Sequence, residues 1–279
     1  MRTAFPFNPL EKIMAVDPYA VPKSRVADVP AGAPDGNFLP DGQGAGIGNG
    51  WNWISDAWSL FAENRGTSIG LFVLFALIAV LPGLIPLIGP LILYLLMPVL
   101  WGGVMLGCDA RRQGEDLRIG HLFAGFSHKN TGRLIGVGVF VVVTFVAIFA
   151  LMALIFGASM MGLFTGGMMG EQPNPETMTT MFATIMIAVL VILGLSIPIY
   201  MALWFAPALI VLNDYSVGAA LKTSFFGCLK NVLPFLLWGI AMFVLMILAT
   251  LPLLLGWLLL GPVLLGSIYT GYRDVFYSR

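Results

Sequence analysis

Residues 69–108 read IGLFVLFALIAVLPGLIPLIGPLILYLLMPVLWGGVMLGC: forty residues without a charged side chain, with no Ser, Thr, Asn or Gln and Tyr94 as the one polar tip. As one helix this run would reach about 60 Å at 1.5 Å per residue. That is twice the ~30 Å hydrocarbon core of a bilayer. The run therefore predicts two apolar helices folded back on each other, with the break at Pro82-Gly83-Leu84-Ile85-Pro86.

Composition extends the reading to the whole chain. Of 279 residues 58% are hydrophobic and 10% charged, against about 45–50% and 25% in soluble domains. Further charge-free runs cover residues 134–170, 177–213 and 232–272. Pro198 and Pro207 are the expected kink sites in the third, and Pro252 and Gly256 mark a break in the last. Each pair of runs follows a segment with helical apolar spacing: Trp51, Ile54, Trp58, Phe61; then Ile119, Leu122, Phe123, Phe126; then Val217, Leu221, Phe225, Leu229. The expected fold is all-α, a polytopic transmembrane helical bundle of about six spans. The spans form three hairpins, each preceded by an amphipathic interfacial helix. Residues 1–50, with seven Pro and seven Gly, are expected to form a flexible tail. They hold no apolar core of about 7–15 residues, so the first spanning helix is expected to direct insertion. The membrane domain is then 51–276, in units 51–109, 110–213 and 214–276.

Two of these units carry a common signature. Pro98-Val99-Leu100-Trp101-Gly102 matches Pro262-Val263-Leu264-Leu265-Gly266 at an offset of 164 (262 minus 98), which also pairs Gly103 with Ser267 and Gly107 with Gly271. The central unit follows the plan without that signature. Gly103 and Gly107, like Ser267 and Gly271, stand four apart, the spacing that lets helix backbones approach. These four are the helix-packing candidates.

Charge sets the topology. All fourteen Lys and Arg fall outside the hairpin turns, where Glu171 and Glu176 are the sole charges. Cationic loops stay cytoplasmic, so both termini are expected inside, in a bacterial inner membrane. The turns near 82–90 and 252–256 are apolar throughout, so those hairpins either cross fully or dip in and return. The residues expected at the interface or against lipid are Trp51, Trp58, Phe61, Arg111, Arg112, Phe126, Lys129, Arg133, Lys222, Phe225 and Lys230. Each basic residue near anionic headgroups adds about 1 kcal/mol of attraction, although topology control alone explains the same charges.

Candidate chemistry is sparse. No ionisable residue interrupts a hydrophobic run, which argues against an ion-coupled pump. Eight of fifteen Met lie between Met152 and Met186. Thioethers suit Cu(I), but with no His or Cys nearby, pliable packing explains them better. His121 and His128 are two ligands where zinc takes three or four. Neither G-x-S-x-G nor H-E-x-x-H occurs, and Ser224 and Cys228 lack a base at local spacing. Cys108 and Cys228 are expected reduced and structural. No cofactor, metal or catalytic residue is assigned, and nucleic acid is not an expected partner.

The segments Trp51-Asn52-Trp53-Ile54, Trp58-Ser59-Leu60-Phe61, His121-Leu122-Phe123-Ala124-Gly125-Phe126, Phe205-Ala206-Pro207-Ala208 and Tyr272-Arg273-Asp274-Val275-Phe276 resemble, in order, a family of uncharacterised proteobacterial inner-membrane proteins. That family is distantly similar to membrane domains accompanying glycerophosphodiester phosphodiesterases. No phosphodiesterase domain is present, and the long Pro/Gly tail departs from the family's shorter start. The resemblance implies location and fold, and no reaction. The leading expectation is a non-catalytic module binding membrane lipids or a membrane-protein partner. The alternative is a carrier or channel for an uncharged or amphipathic solute, with a cavity lined by both copies near Pro98 and Pro262. A membrane enzyme ranks third.

Overall fold

The computed structural model describes residues 36–86, 88–168 and 175–278. Among these residues the architecture is all-helical, with one isolated bridge between Phe38 and Tyr277. The α-helices are α1 (Asn49–Glu63), α2 (Arg65–Val80), α3 (Ile88–Arg112), α4 (Ala124–Ser127), α5 (Thr131–Met168), α6 (Pro175–Trp204), α7 (Ala206–Asn213), α8 (Val217–Lys230), α9 (Val232–Thr250) and α10 (Trp257–Phe276). Short 3-10 turns lie at Leu81–Leu84 and Ile119–Phe123.

Five stretches are long and apolar enough to cross a membrane: Arg65–Leu84, Ile88–Arg112, Thr131–Leu154, Met178–Asn213 and Val232–Thr250. α10 is long enough but too polar, because Ser267, Tyr269, Thr270, Arg273 and Asp274 dilute it. Its burial accounts for this tolerance. Twelve of its twenty residues are buried, so α1, α2, α3 and α9 rather than lipid surround it.

The chain turns where proline and glycine dictate. Pro82 opens the 3-10 turn after α2, and a Cβ on Gly89 would meet the Pro82 carbonyl at 1.7 Å. α6 runs through Pro198 and breaks at Phe205, with Pro207 in the first turn of α7. Of the two expected kink sites, Pro207 thus sits beside a real break and Pro198 inside a continuous helix. Between α9 and α10, Leu253 and Leu254 adopt φ of +52° and +67°, a region that leucine disfavours.

Each short helix packs on a long helix from elsewhere in the chain. The Ile119–Phe123 turn and α4 lie on α3, α8 lies on α6, and α1 lies on α10 and α9. The fully buried side chains, among them Leu100, Leu122, Leu134, Phe205, Leu209, Tyr269, Tyr272 and Phe276, gather at the end of the bundle that carries the basic residues. At the other end, Leu84, Phe149, Leu154 and Leu253 are each at least 70% exposed. Protein packing closes the basic end and leaves large apolar side chains exposed at the other.

The expected tail boundary at residue 50 is corrected. Residues 1–35 lie outside the described residues, but the compact unit starts before Trp51. Leu39 N–H donates to Phe276 O (2.8 Å), Gln43 N–H to Val275 O (2.8 Å) and Ser278 N–H to Asn37 O (3.0 Å). Phe38 stacks among Tyr215, Phe276 and Tyr277. Glycine density fits this strap because it follows another segment closely: a Cβ on Gly36 would meet Ser278 O at 1.7 Å. Most of the polar turn expected at 171–176 lies outside the described residues, as do Met169 and the Met160 side chain.

Candidate functional site

A cavity lies between α3, α5, α6 and the start of α7, with a volume of about 520 Å³, inside the ~300–1,000 Å³ range of ligand pockets. Along α5 its walls run from Val137 to Met152, about 22 Å at 1.5 Å per residue. Its lining follows the helix axes over that length. It is a slot, not a chamber.

Two prolines shape it. Pro98 and Pro207 line its inner part, and neither offers an N–H to bond. Trp101 and Trp204 stand beside them. Phe75 backs the Trp101 ring at 5.4 Å, while Phe235 and Trp238 back Trp204 at 5.6 and 5.2 Å. Tyr94 packs on Phe145 at 5.3 Å. These rings are held from behind, so the walls are preformed. Phe149 and Tyr200 are 70% and 65% exposed while also lining the slot, so it opens sideways on the apolar flank. No lining residue is Asp, Glu, Lys, Arg or His.

The expected wall at Pro262 is corrected. Pro262 lines a separate pocket of about 40 Å³ with Ala57, Val104 and Arg111. The partner of Pro98 is Pro207, because α3 packs on α7.

The interfacial candidates divide. Trp51, Trp58 and Phe126 are exposed, Phe225 is half-buried and Lys222 is exposed. Phe61 turns inward, 3% exposed, in a cluster with Ile54, Ala57 and Met242; the Trp58 ring packs over it at 5.3 Å and stays exposed itself. Several cations are engaged within the protein. Arg111 pairs with Glu63. Arg112 Nε donates to Tyr269 Oη at 3.0 Å, and that hydroxyl donates to Asp109 at 2.6 Å. Lys129 and Arg133 meet Asp214 at 3.3 and 2.7 Å, and Lys230 donates to Asp41 O at 2.8 Å.

The packing candidates all face short helices or their neighbours. A Cβ on Gly103 would meet Leu122 O at 2.3 Å, and one on Gly107 the His121 Cβ at 3.0 Å. Gly271 admits Trp53 at 3.2 Å, and Ser267 accepts from Trp238 Nε1 at 3.0 Å.

Ser224 and Cys228 have structural surroundings. Ser224 is fully buried; its hydroxyl accepts Phe205 N–H at 2.9 Å and donates to Met201 O at 2.7 Å. Burial pushes the Cys228 thiol up to about 12, far from a thiolate at neutral pH. The histidines cap turns: His121 Nδ1 accepts from Arg118 N–H and His128 Nδ1 from Asn130 N–H.

Sequence reading missed the asparagines that open the long helices. Asn130 donates to Ile210 O and Asp214, each at 2.8 Å. Asn231 donates to Gln43 O and Gly227 O and accepts from Ala45 N–H. A signal existed: Asn64-Arg65-Gly66-Thr67-Ser68-Ile69-Gly70 and Asn130-Thr131-Gly132-Arg133-Leu134-Ile135-Gly136 share N-x-G-x-x-I-G.

The chain is similar to a probable inner membrane protein of Burkholderia thailandensis, 29% identical over 199 residues that cover 70% of this chain and 73% of the relative. No family model matches the sequence. No solved structure matches it. With five helices of membrane-crossing length and hydropathy, that relative supports residence in an inner membrane.

Proposed function

We propose that the protein is a non-catalytic, six-span inner-membrane module that binds lipid in the slot between α3, α5 and α6. The slot carries the reading: it is elongated, walled by fixed aromatic rings, free of Asp, Glu, Lys, Arg and His, and open toward the apolar flank. A hydrocarbon chain loses no hydration on entering such a site from a bilayer, whereas a charge would lose much.

In this reading α2–α3, α5–α6 and α9–α10 are three hairpins with their turns outside and both termini cytoplasmic. α1, the segment 119–127 and α8 are the matching lead-in helices of a threefold repeat. Two relations support the repeat: each lead-in packs on the second helix of the preceding hairpin, and α1 closes the ring on α10. α10 completes the sixth span because its polar residues are shielded by protein.

The test is photolabelling of the purified full chain in nanodiscs containing phosphatidylethanolamine with a diazirine on one acyl chain. Adducts are expected on α3, α5 and α6 peptides, and filling the slot with Val141→Phe or Ile148→Trp should remove them while the thermal midpoint stays near that of the parent. Labelling confined to the outer flanks and indifferent to both substitutions would refute the assignment. A carrier for an uncharged solute would use the same slot, but the path between Pro98 and Pro262 that it calls for is absent there.

A further inference from the structure

Four neutral polar side chains in the slot, besides the phenols of Tyr94 and Tyr200, lack a protein partner. Thr179, Thr184 and Thr250 return their hydroxyls to the carbonyl four residues back, the usual habit of helical threonine. Among the described residues Thr144 on α5 and Ser196 on α6 make no hydrogen bond, and neither do the indole N–H groups of Trp101 and Trp204. None of the four is sealed away as a buried unsatisfied atom, since Arg111 Nε alone has that status among the described residues. They open on the cavity or its rim, and each takes its partner from whatever occupies that space.

Their depth is informative. Thr144 is thirteen residues into α5, about 20 Å from its basic end, and Ser196 is eight residues, about 12 Å, from the break after Trp204. A phospholipid could not bring its charged headgroup there, because nothing in the slot would neutralise it. A pure alkane would leave the donors unmatched. Indole N–H donates only, so its partner must be an acceptor.

Resting on the lipid-binding reading above, we propose that the slot selects an uncharged lipid bearing carbonyl acceptors, of the isoprenoid-quinone class. Its ring is held between the Trp101 and Trp204 walls, its carbonyl oxygens accept from the indoles and from Thr144 and Ser196, and its tail leaves sideways past Phe149. Aromatic walls favour a flat ring over a flexible alcohol.

The experiment uses the full chain in phosphatidylcholine nanodiscs with decylubiquinone as the probe, read by quenching of intrinsic tryptophan fluorescence. Quenching is expected to saturate and to weaken about five-fold with either Thr144→Val or Ser196→Ala, the loss of one neutral hydrogen bond. Quenching that never saturates, or an affinity unchanged in both variants, overturns the quinone assignment. If phospholipid labelling persists in that case, the lipid-binding reading stands without it; if labelling also fails, both fall. Competition by dodecane as effective as by decylubiquinone would likewise overturn it.

Discussion

Ser224 on α8 accepts the N–H of Phe205 at 2.9 Å, across the break between α6 and α7. The same hydroxyl donates to Met201 O at 2.7 Å. Pro207 cannot continue the ladder of α6, so backbone groups at the break need partners from elsewhere. In an apolar interior a serine hydroxyl is a compact way to supply both.

Ser224→Ala strands the Phe205 N–H and the Met201 carbonyl in a fully buried place, at roughly 1–3 kcal/mol for each group. The expected thermal midpoint in detergent falls on the order of 5–10 °C. Thr179→Ala removes an exposed hydroxyl bonded within its own helix and should leave the midpoint unchanged. Equal midpoints for both variants would show that the break is satisfied some other way.

Two glycines hold α3 against the segment that follows it. A Cβ on Gly103 would come 2.3 Å from Leu122 O, and one on Gly125 would come 2.1 Å from Val99 O. Backbone cannot yield as a side-chain tip can, so Gly103→Ala and Gly125→Ala should each cost at least the ~1–3 kcal/mol of overpacking. Gly132 meets nothing within 4 Å, and Gly132→Ala should be neutral or gain up to about 1 kcal/mol. Thermal unfolding of the three variants ranks them.

The junction at Asn130 responds to acid in two windows. Burial first, then Lys129, holds the His128 imidazole below its usual pKa, and protonation would also remove the Nδ1 lone pair that accepts from Asn130 N–H. The unfolded chain therefore binds the proton more readily, and stability declines as pH falls below about 6.5, until the folded imidazole is itself protonated. Asp214 is held below the usual carboxylate range by the Asn130 amide and then by Lys129. Its contribution is whole above about pH 4 and is lost as pH falls through the lower folded value. Thermal midpoints against pH should show the upper slope vanish in His128→Gln and the lower one in Asp214→Asn.

Residues 36–48 are expected to resist proteolysis. Asn231 is fully buried and bonded to Gln43, Ala45 and Gly227, so Asn231→Ala should cost roughly 1–3 kcal/mol. It should also open this strap to a nonspecific protease while leaving α3 and α5 protected. A strap cut at the same rate in both proteins would contradict the packing described.

The long apolar runs were legible because length without charge is itself the signal. α10 is legible from the charge-free run 232–272 and from its proline signature, although Tyr269, Arg273 and Asp274, which a helix shielded by protein can keep, lower its hydropathy. The spacing of Trp51, Ile54, Trp58 and Phe61 announces a one-faced helix, yet periodicity does not say what covers the face. Here Trp53 and Phe61 turn to α9 and α10, and Trp51 and Trp58 stay outside. The strap looked like a tail because its partners are backbone groups of residues 275–278, which no side-chain pattern reveals. Pro98 was matched to Pro262 by likeness of sequence, whereas the cavity follows packing and puts Pro98 opposite Pro207. Ser224 drew notice as a nucleophile because the need it meets arises only once α6 breaks at Phe205.

Trp53 donates to Asp274, 221 positions later in the chain. A ribosome adding about 5–20 residues per second needs roughly 10–45 s to cover that distance. Through that interval α1 exists without α9 or α10, its Trp53, Ile54 and Phe61 uncovered, so something outside the chain must shelter it until the last helix arrives. A truncation that removes α9 and α10 leaves this early-made helix permanently without those partners, and quality-control proteases would meet the protein at its beginning rather than at the site of the lesion.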